Sequence, residues 1–371
     1  MKKMEIPFFT NKYQDSLYGD KIREKIDFII QKGTFILGDE VKTLEERISK
    51  YTGIKYAIGV ANGSDALYLA LNSLHLPEKS GVITTPFSFF ASSSCIERNK
   101  LKPVFVDVKE NTFNINENRI EEKINDKTSC ILPVDLFSQP ADMGSISETA
   151  KKHGLKIVED SAEAFGMKWN GSHAGKTADE SVLSFFPTKT FSCFGDGGMV
   201  LTDDESLATE IRMLRSHGSE KKYHHKYVGI NSRLDEMQAG ILNIKLDHIE
   251  YEISEREIIA GSYMEGLSDI PEIELPVIED EASPVWYVFS IRAKDRNGLQ
   301  LHLKEKGIGT SIYYPLPLHL QECFSKYGYK KGDFPVAEKL CETSIALPVF
   351  TGMTEEMTGY VCDAVREFYK K

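Results

Sequence analysis

The chain has 371 residues, 41% hydrophobic and 27% charged, enough to bury a sizeable core and to divide into two domains. Its formal net charge of −11 sets a long-range field against nucleic acid and acidic membrane surfaces, so neither is expected as a partner. The six cysteines form no CxxC pair, nothing reads as a signal peptide and no apolar run reaches bilayer length, which predicts a cytoplasmic protein with reduced thiols.

After a first segment with helical periodicity, short apolar runs alternate with amphipathic stretches: YAIGVAN, SDALYLALNSLHL, GVITTP, PVFVDV, SCILPVDLF and LKIVEDSA. The pattern continues through ESVLSFFP and GMVLTDD, and residues 205–216 and 234–248 read as helices. Such alternation predicts an α/β fold with a mainly parallel sheet between helices. The large domain is expected to cover residues 1–250. Beyond it, strand-like VWYVFSIRA, helical LQLHLKEKG, the strand-to-loop run TSIYYPLPLH and a C-terminal amphipathic helix predict a smaller α+β domain over 251–371.

Four stretches fall where strands of such a sheet should end, the place where open α/β folds bind ligands. In ANGSDAL (61–67), an Asn-Gly turn puts Gly63 and Ser64 at a helix start, with free N–H groups and a hydroxyl for an anion; alone, this would be an ordinary cap. In VEDSAEAFG (158–166), Asp160 and Glu163 follow the apolar run LKIV. In SFFPTKTFSCFGDGG (184–198), Lys189 sits among Phe185, Phe186, Pro187, Phe191 and Phe194, where a desolvated ammonium is costly unless it is used. In GINSRLDEMQAGIL (229–242), Asn231 and Arg233 precede a helix, and the arginine offers a planar fork of donors for phosphate or carboxylate.

Taken together, these stretches suit pyridoxal phosphate, which needs a lysine nucleophile of depressed pKa, an acid at its ring nitrogen and a phosphate cradle. Lys189, Asp160 and Gly63–Ser64 supply the three. Ser184 adds a hydroxyl, and Phe89 in TPFSFFAS is placed to stack on the ring. Two other stretches carry weaker signals. GSHAGKT (171–177) is one residue short of a phosphate-binding P-loop and follows no buried strand. His217, His224 and His225 lack the spacing of a metal site and read as a solvated loop or a substrate contact.

The same stretches, in order from GTFILGDEV (33–41) to YYPLPLH (313–319), resemble the DegT/DnrJ/EryC1/StrS family of sugar aminotransferases. The resemblance implies a fold-type I enzyme with a seven-stranded, mostly parallel sheet, a small C-terminal domain and a homodimer that shares its active sites. It implies that Lys189 carries the cofactor, that Asp160 faces the pyridinium nitrogen and that Gly63, Ser64 and Ser184 bind the phosphate. Phe89 would stack, Asn231 would reach the partner subunit's phosphate, and Arg233 would bind an anion across the dimer. Tyr313 and His319 fall in the family's substrate-facing segment.

Three positions depart from the usual pattern. Glu163 stands where a glutamine commonly meets the cofactor's phenolic oxygen, Asp135 where a histidine is frequent, and Tyr313 where HYP is usual. The implied reaction moves an amino group from glutamate to a keto-sugar nucleotide, with pyridoxamine 5′-phosphate between its two halves. SRLDEMQA resembles members acting on 3-keto more than 4-keto sugars, while UDP and dTDP both remain open. Lys189 argues against the family's lysine-free dehydratases. A non-catalytic regulatory protein on the same fold and a nucleotide-binding protein using GSHAGKT are the rival readings.

Overall fold

The computed structural model describes residues 3–370. Its central sheet has seven strands, in the order Tyr56–Val60, Gly198–Thr202, Glu180–Ser184, Lys156–Asp160, Thr128–Ile131, Gly81–Thr84 and Lys102–Phe105. Gly198–Thr202 runs antiparallel to both of its neighbours, while the other neighbouring pairs are parallel. Strands such as Gly81–Thr84 and Gly198–Thr202 are buried along their whole length, as a sheet covered on both faces requires. The mostly parallel α/β architecture of fold-type I is therefore present.

Helix Gly63–Ser73 crosses the sheet and buries Ala66, Leu67, Leu69, Ala70 and Leu71 in the largest apolar cluster. The N-terminal helical expectation holds as two helices, Lys12–Lys32 and Asp39–Thr52. Each ends at a glycine in the left-handed conformation, Gly33 and Gly53.

A second antiparallel sheet pairs Ile273–Glu274, Phe289–Ala293 and Ser344–Leu347. Helices Ile249–Leu267, Arg296–Glu305 and Glu355–Tyr369 contribute Ile259, Leu299, Leu303, Val361 and Val365 to the cluster around it. We propose that the chain divides near residue 250. Ile6, however, is buried in this C-terminal cluster and bridges Ile308, with its N–H bonded to the Gly307 carbonyl at 2.8 Å.

The run VWYVFSIRA is not one strand. Only Phe289–Ala293 pairs in the sheet, whereas the Val285 N–H bonds to the Ser138 carbonyl at 3.0 Å. Residues 285–288 thus leave the small sheet and run along a loop of the large one. Similarly, SCILPVDLF is a strand only over Thr128–Ile131. Pro133, which has no N–H to continue a ladder, precedes a single bridge between Val134 and Asp160.

Candidate active site

A cavity of about 460 Å³ opens at the strand ends and is lined by Gly63, Ser64, Phe89, Asp160, Glu163, Ser184, Lys189 and Tyr313, all singled out in the sequence. Each arrives by a distinct local device. Asp160 ends its strand, fixed by its N–H on the Pro133 carbonyl at 2.9 Å. Gly63 and Ser64 open a helix whose Asn62 side chain caps the Asp65 N–H at 2.8 Å. The N–H groups of that first turn have no partner within the helix. Lys189 follows the strand Glu180–Ser184 on a turn closed by its own N–H on the Phe186 carbonyl at 2.8 Å.

Lys189 Nζ lies 3.0 Å from Glu163 Oε1, with the two side chains only 15% and 9% exposed. Glu163 Oε2 accepts the Phe137 N–H at 2.8 Å. The ammonium also sits 4.3 Å from the centroid of the Tyr287 ring, and the Tyr287 hydroxyl is 3.1 Å from Thr188 Oγ1. The expectation of a depressed lysine pKa is not met in the chain alone. Burial pulls it down, but Glu163, with Tyr287 and Asp160, outweighs burial and holds it above the ordinary lysine value.

Asp160 is 4% exposed. Its Oδ2 accepts from Ser92 Oγ at 2.7 Å, and Ser92 Oγ lies 2.8 Å from Ser88 Oγ. Burial pushes the Asp160 carboxyl up, while Ser92, the Ala162 N–H and Lys189 oppose that rise. Beneath it, Asp135 and Glu159 are fully buried and bridged by Ser161 Oγ, at 2.8 and 3.3 Å. Burial raises both carboxyls, so the pair retains a proton where surface acids have lost theirs.

Ser92, Ser88, Tyr287 and Tyr314 escaped the sequence reading. Asn231 and Arg233 do not line the cavity. They line an adjoining recess with Ile36, Asp235 and Gln238, and Asn62 and Asp196 face both spaces. Arg233 Nε is buried with no hydrogen-bond partner. His319, expected at the substrate, is likewise not on the cavity wall. It is buried 3.1 Å from Glu338 Oε1 and edge-on to Phe334.

GSHAGKT is no phosphate loop. Ser172–His173 is the second strand of a hairpin with Lys168–Trp169, His173 Nε2 accepts the Gly166 N–H at 2.9 Å, and Lys176 Nζ is held by Asp203 and the Gly53 carbonyl. His224–His225 lies on an exposed hairpin, with His225 Nδ1 at 2.9 Å from the His217 carbonyl. Among the described residues no group of His, Cys, Asp and Glu is arranged to hold a metal ion, and no helix is long and apolar enough to cross a membrane.

The residues fit pyridoxal phosphate on two grounds. The donor set is complementary: a lysine, a buried carboxylate and a helix start lie on one cavity. The anion cradle is also built so closely that a Cβ on Gly63 would stand 2.7 Å from Ser184 Cβ and 3.0 Å from its Oγ. A lysine and a buried acid on one cavity at the strand ends of this sheet are the pair that a fold-type I pyridoxal phosphate enzyme requires.

Comparison with known proteins agrees. Residues 17–366 match the model of the DegT/DnrJ/EryC1/StrS aminotransferase family, and the chain belongs to that family, whose members include nucleotide-sugar transaminases dependent on pyridoxal phosphate. It is 42% identical over 371 residues, 99% of each chain, to a protein of Geobacillus stearothermophilus named pleiotropic regulatory protein. It is 38% identical over 363 residues, 98% of this chain and 99% of the other, to the dTDP-3-amino-3,6-dideoxy-alpha-D-galactopyranose transaminase of Aneurinibacillus thermoaerophilus. The crystal structure of S. venezuelae DesV in complex with a ketimine intermediate superposes with a TM-score of 0.97 at 36% identity, covering 99% of both chains.

Proposed function

We propose that this enzyme moves an amino group from glutamate to a keto-sugar nucleotide, with the 3-keto position favoured. The convergence of Lys189, Asp160 and the Gly63–Ser64 helix start on one cavity carries this reading. Bound pyridoxal phosphate would supply the electron sink that makes a C–H bond beside nitrogen acidic. Gly63 and Ser64 offer backbone N–H groups, and Ser64 and Ser184 hydroxyls, to its phosphate. Asp160, steadied by Ser92, would hold a proton on the ring nitrogen. Phe89 would cover one ring face, and Glu163 would meet the phenolic oxygen. Lys189 would take a proton from the substrate carbon and return it to the carbon on the far side of the intervening nitrogen. Tyr313, on the cavity wall, faces the sugar.

In the same reading a second copy of the chain completes the site, as an isologous dimer permits. Asn231 reaches the partner subunit's phosphate site, and Arg233 binds the nucleotide's anionic groups. Support comes from the unpartnered Arg233 Nε and from Phe35, Ile36, Leu37, Phe186 and Phe194, each more than 40% exposed near these recesses. A cytoplasmic location belongs to this reading too.

The test is a screen of UDP- and dTDP-linked 3-keto and 4-keto sugars with glutamate, reading amino-sugar products by mass. Product from a 3-keto substrate is expected, and turnover confined to 4-keto sugars overturns the regiochemistry. The name of the Geobacillus relative favours a second reading, a regulatory protein on the same site architecture. Stoichiometric cofactor on Lys189 with no product from any sugar would select it.

A further inference from the structure

The free amine of Lys189 is not left at large in the cavity. It is gripped from two sides by groups that come from distant parts of the chain. Glu163 Oε1 meets it at 3.0 Å, and Glu163 cannot swing away cheaply because its second oxygen is pinned by the Phe137 N–H at 2.8 Å. The Tyr287 ring lies beneath the same nitrogen, with the centroid at 4.3 Å, and its hydroxyl is tied to Thr188, the residue before the lysine. A carboxylate and the negative face of an aromatic ring both favour a cation over a neutral amine. The arrangement is therefore a receptor for the charged form.

We propose that Glu163 and Tyr287 form a docking site for the free ammonium of Lys189 whenever the lysine nitrogen is not bonded to the cofactor. This rests on the reading of the protein as a pyridoxal phosphate enzyme. Docking the ammonium costs the lysine its nucleophilicity until it gives up a proton. A glutamine at position 163, the residue usual in the resembling family, carries no charge to hold the ammonium. Glu163 therefore gives this chain an ionic grip on the lysine that the common pattern lacks.

Other ionisable groups face the same space. Asp160 comes from the strand before Glu163, Tyr313 and Tyr314 from the segment between helix Arg296–Glu305 and strand Ser344–Leu347, and Asp196 from the loop after Lys189. Asp160 and Glu163 both favour a charged lysine, in agreement with its raised pKa. Of these, only Glu163 is within hydrogen-bond reach of Nζ in the structure.

The test measures the lysine directly and needs no turnover. Full-length protein is stripped of cofactor with hydroxylamine, labelled with trace acetic anhydride from pH 7 to 12, and the acetylation of Lys189 is read by mass spectrometry against exposed Lys42 and Lys331 of the same sample. In the wild type, the half-point of Lys189 labelling should lie above those of the two reference lysines. Glu163→Gln should lower it by about 1 to 3 pH units. Tyr287→Leu should lower it by about half a unit or more, as expected for a lost cation–π contact, whereas Tyr287→Phe, which keeps the ring face and loses only the hydroxyl, should lower it less.

A half-point that stays or rises in Glu163→Gln overturns the proposal, as does a wild-type half-point below the references. If Glu163→Gln does not fold, the contrast between the two Tyr287 variants decides: equal half-points refute the ring's part and with it the docking site. Because the protein carries no cofactor or sugar in this assay, a failed sugar screen and a failed labelling result are separate outcomes.

Discussion

Substituting Gly63 by alanine tests whether the cavity's phosphate cradle depends on close backbone approach. The new methyl would lie 2.7 Å from Ser184 Cβ and 3.0 Å from Ser184 Oγ, where saturated carbons rest at about 3.5 to 4.0 Å. One wall must therefore retreat by about 1 Å. Neither wall moves freely, because Ser184 ends a central strand and Gly63 starts a helix packed on the core. Overpacking of this size costs about 1–3 kcal/mol. If that cost falls on the cradle, pyridoxal phosphate affinity drops about 5- to 150-fold.

The assay is a titration of dialysed protein followed by cofactor absorbance, with the thermal midpoint of the cofactor-free protein measured in parallel. Ser184→Gly removes the Cβ that is struck, so in a double-mutant cycle it should recover part of the loss caused by Gly63→Ala. Ser184→Ala, which keeps that Cβ, should not. Wild-type affinity and stability in Gly63→Ala would refute the reasoning, as would strict additivity with Ser184→Gly.

In the wild type, borohydride should fix the cofactor on the peptide carrying Lys189, and Lys189→Ala should take no label; label on another lysine would displace the assignment. Inactive Lys189→Ala and Arg233→Ala chains, mixed and exchanged, should regain activity in heterodimers, and silence from proven heterodimers would refute a shared site. Lys245 offers a pH test of stability. It is 4% exposed and bonded to the Ser192 carbonyl and hydroxyl, and burial lowers its pKa to about 8. Between about pH 8 and 10.4 the unfolded chain binds a proton that the folded chain does not, so stability rises with pH across that window. Urea unfolding at pH 7 and pH 10 should show the wild type gaining up to about 3 kcal/mol relative to Lys245→Met; parallel changes in the two proteins would contradict the shifted lysine.

The parts of the site legible in the sequence were those whose chemistry conflicts with their surroundings. Lys189 among phenylalanines and Asp160 after an apolar run declare a use, and Gly63–Ser64 marks a helix start. Glu163 was visible as a residue, but its pairing with Lys189 joins different strand ends, and no local pattern reports a contact formed by the sheet. Tyr287 was hidden in an apolar run that reads as one strand, because nothing local shows that the chain leaves the sheet before Phe289. Ser92 looked like one of several small polar residues in ASSSC. His319 was singled out by its place in the resembling family's segment alone, and a segment does not report that this side chain packs against Phe334 and Glu338 rather than lining the cavity.

The bridge between Ile6 and Ile308 has a consequence for synthesis. The two residues lie roughly three hundred positions apart, so Ile6 leaves the ribosome about 15 to 60 s before its partner at ordinary elongation rates. During that interval the large sheet, complete by Thr202, has all its strands available, while the segment around Ile6 still lacks the surface it will cover. Closing so long a loop late carries an entropic cost, but even for a flexible chain that cost grows only with the logarithm of loop length. A nascent chain halted before residue 308 should therefore present Ile6 and Phe9 to chaperones or proteases even after its central sheet has formed.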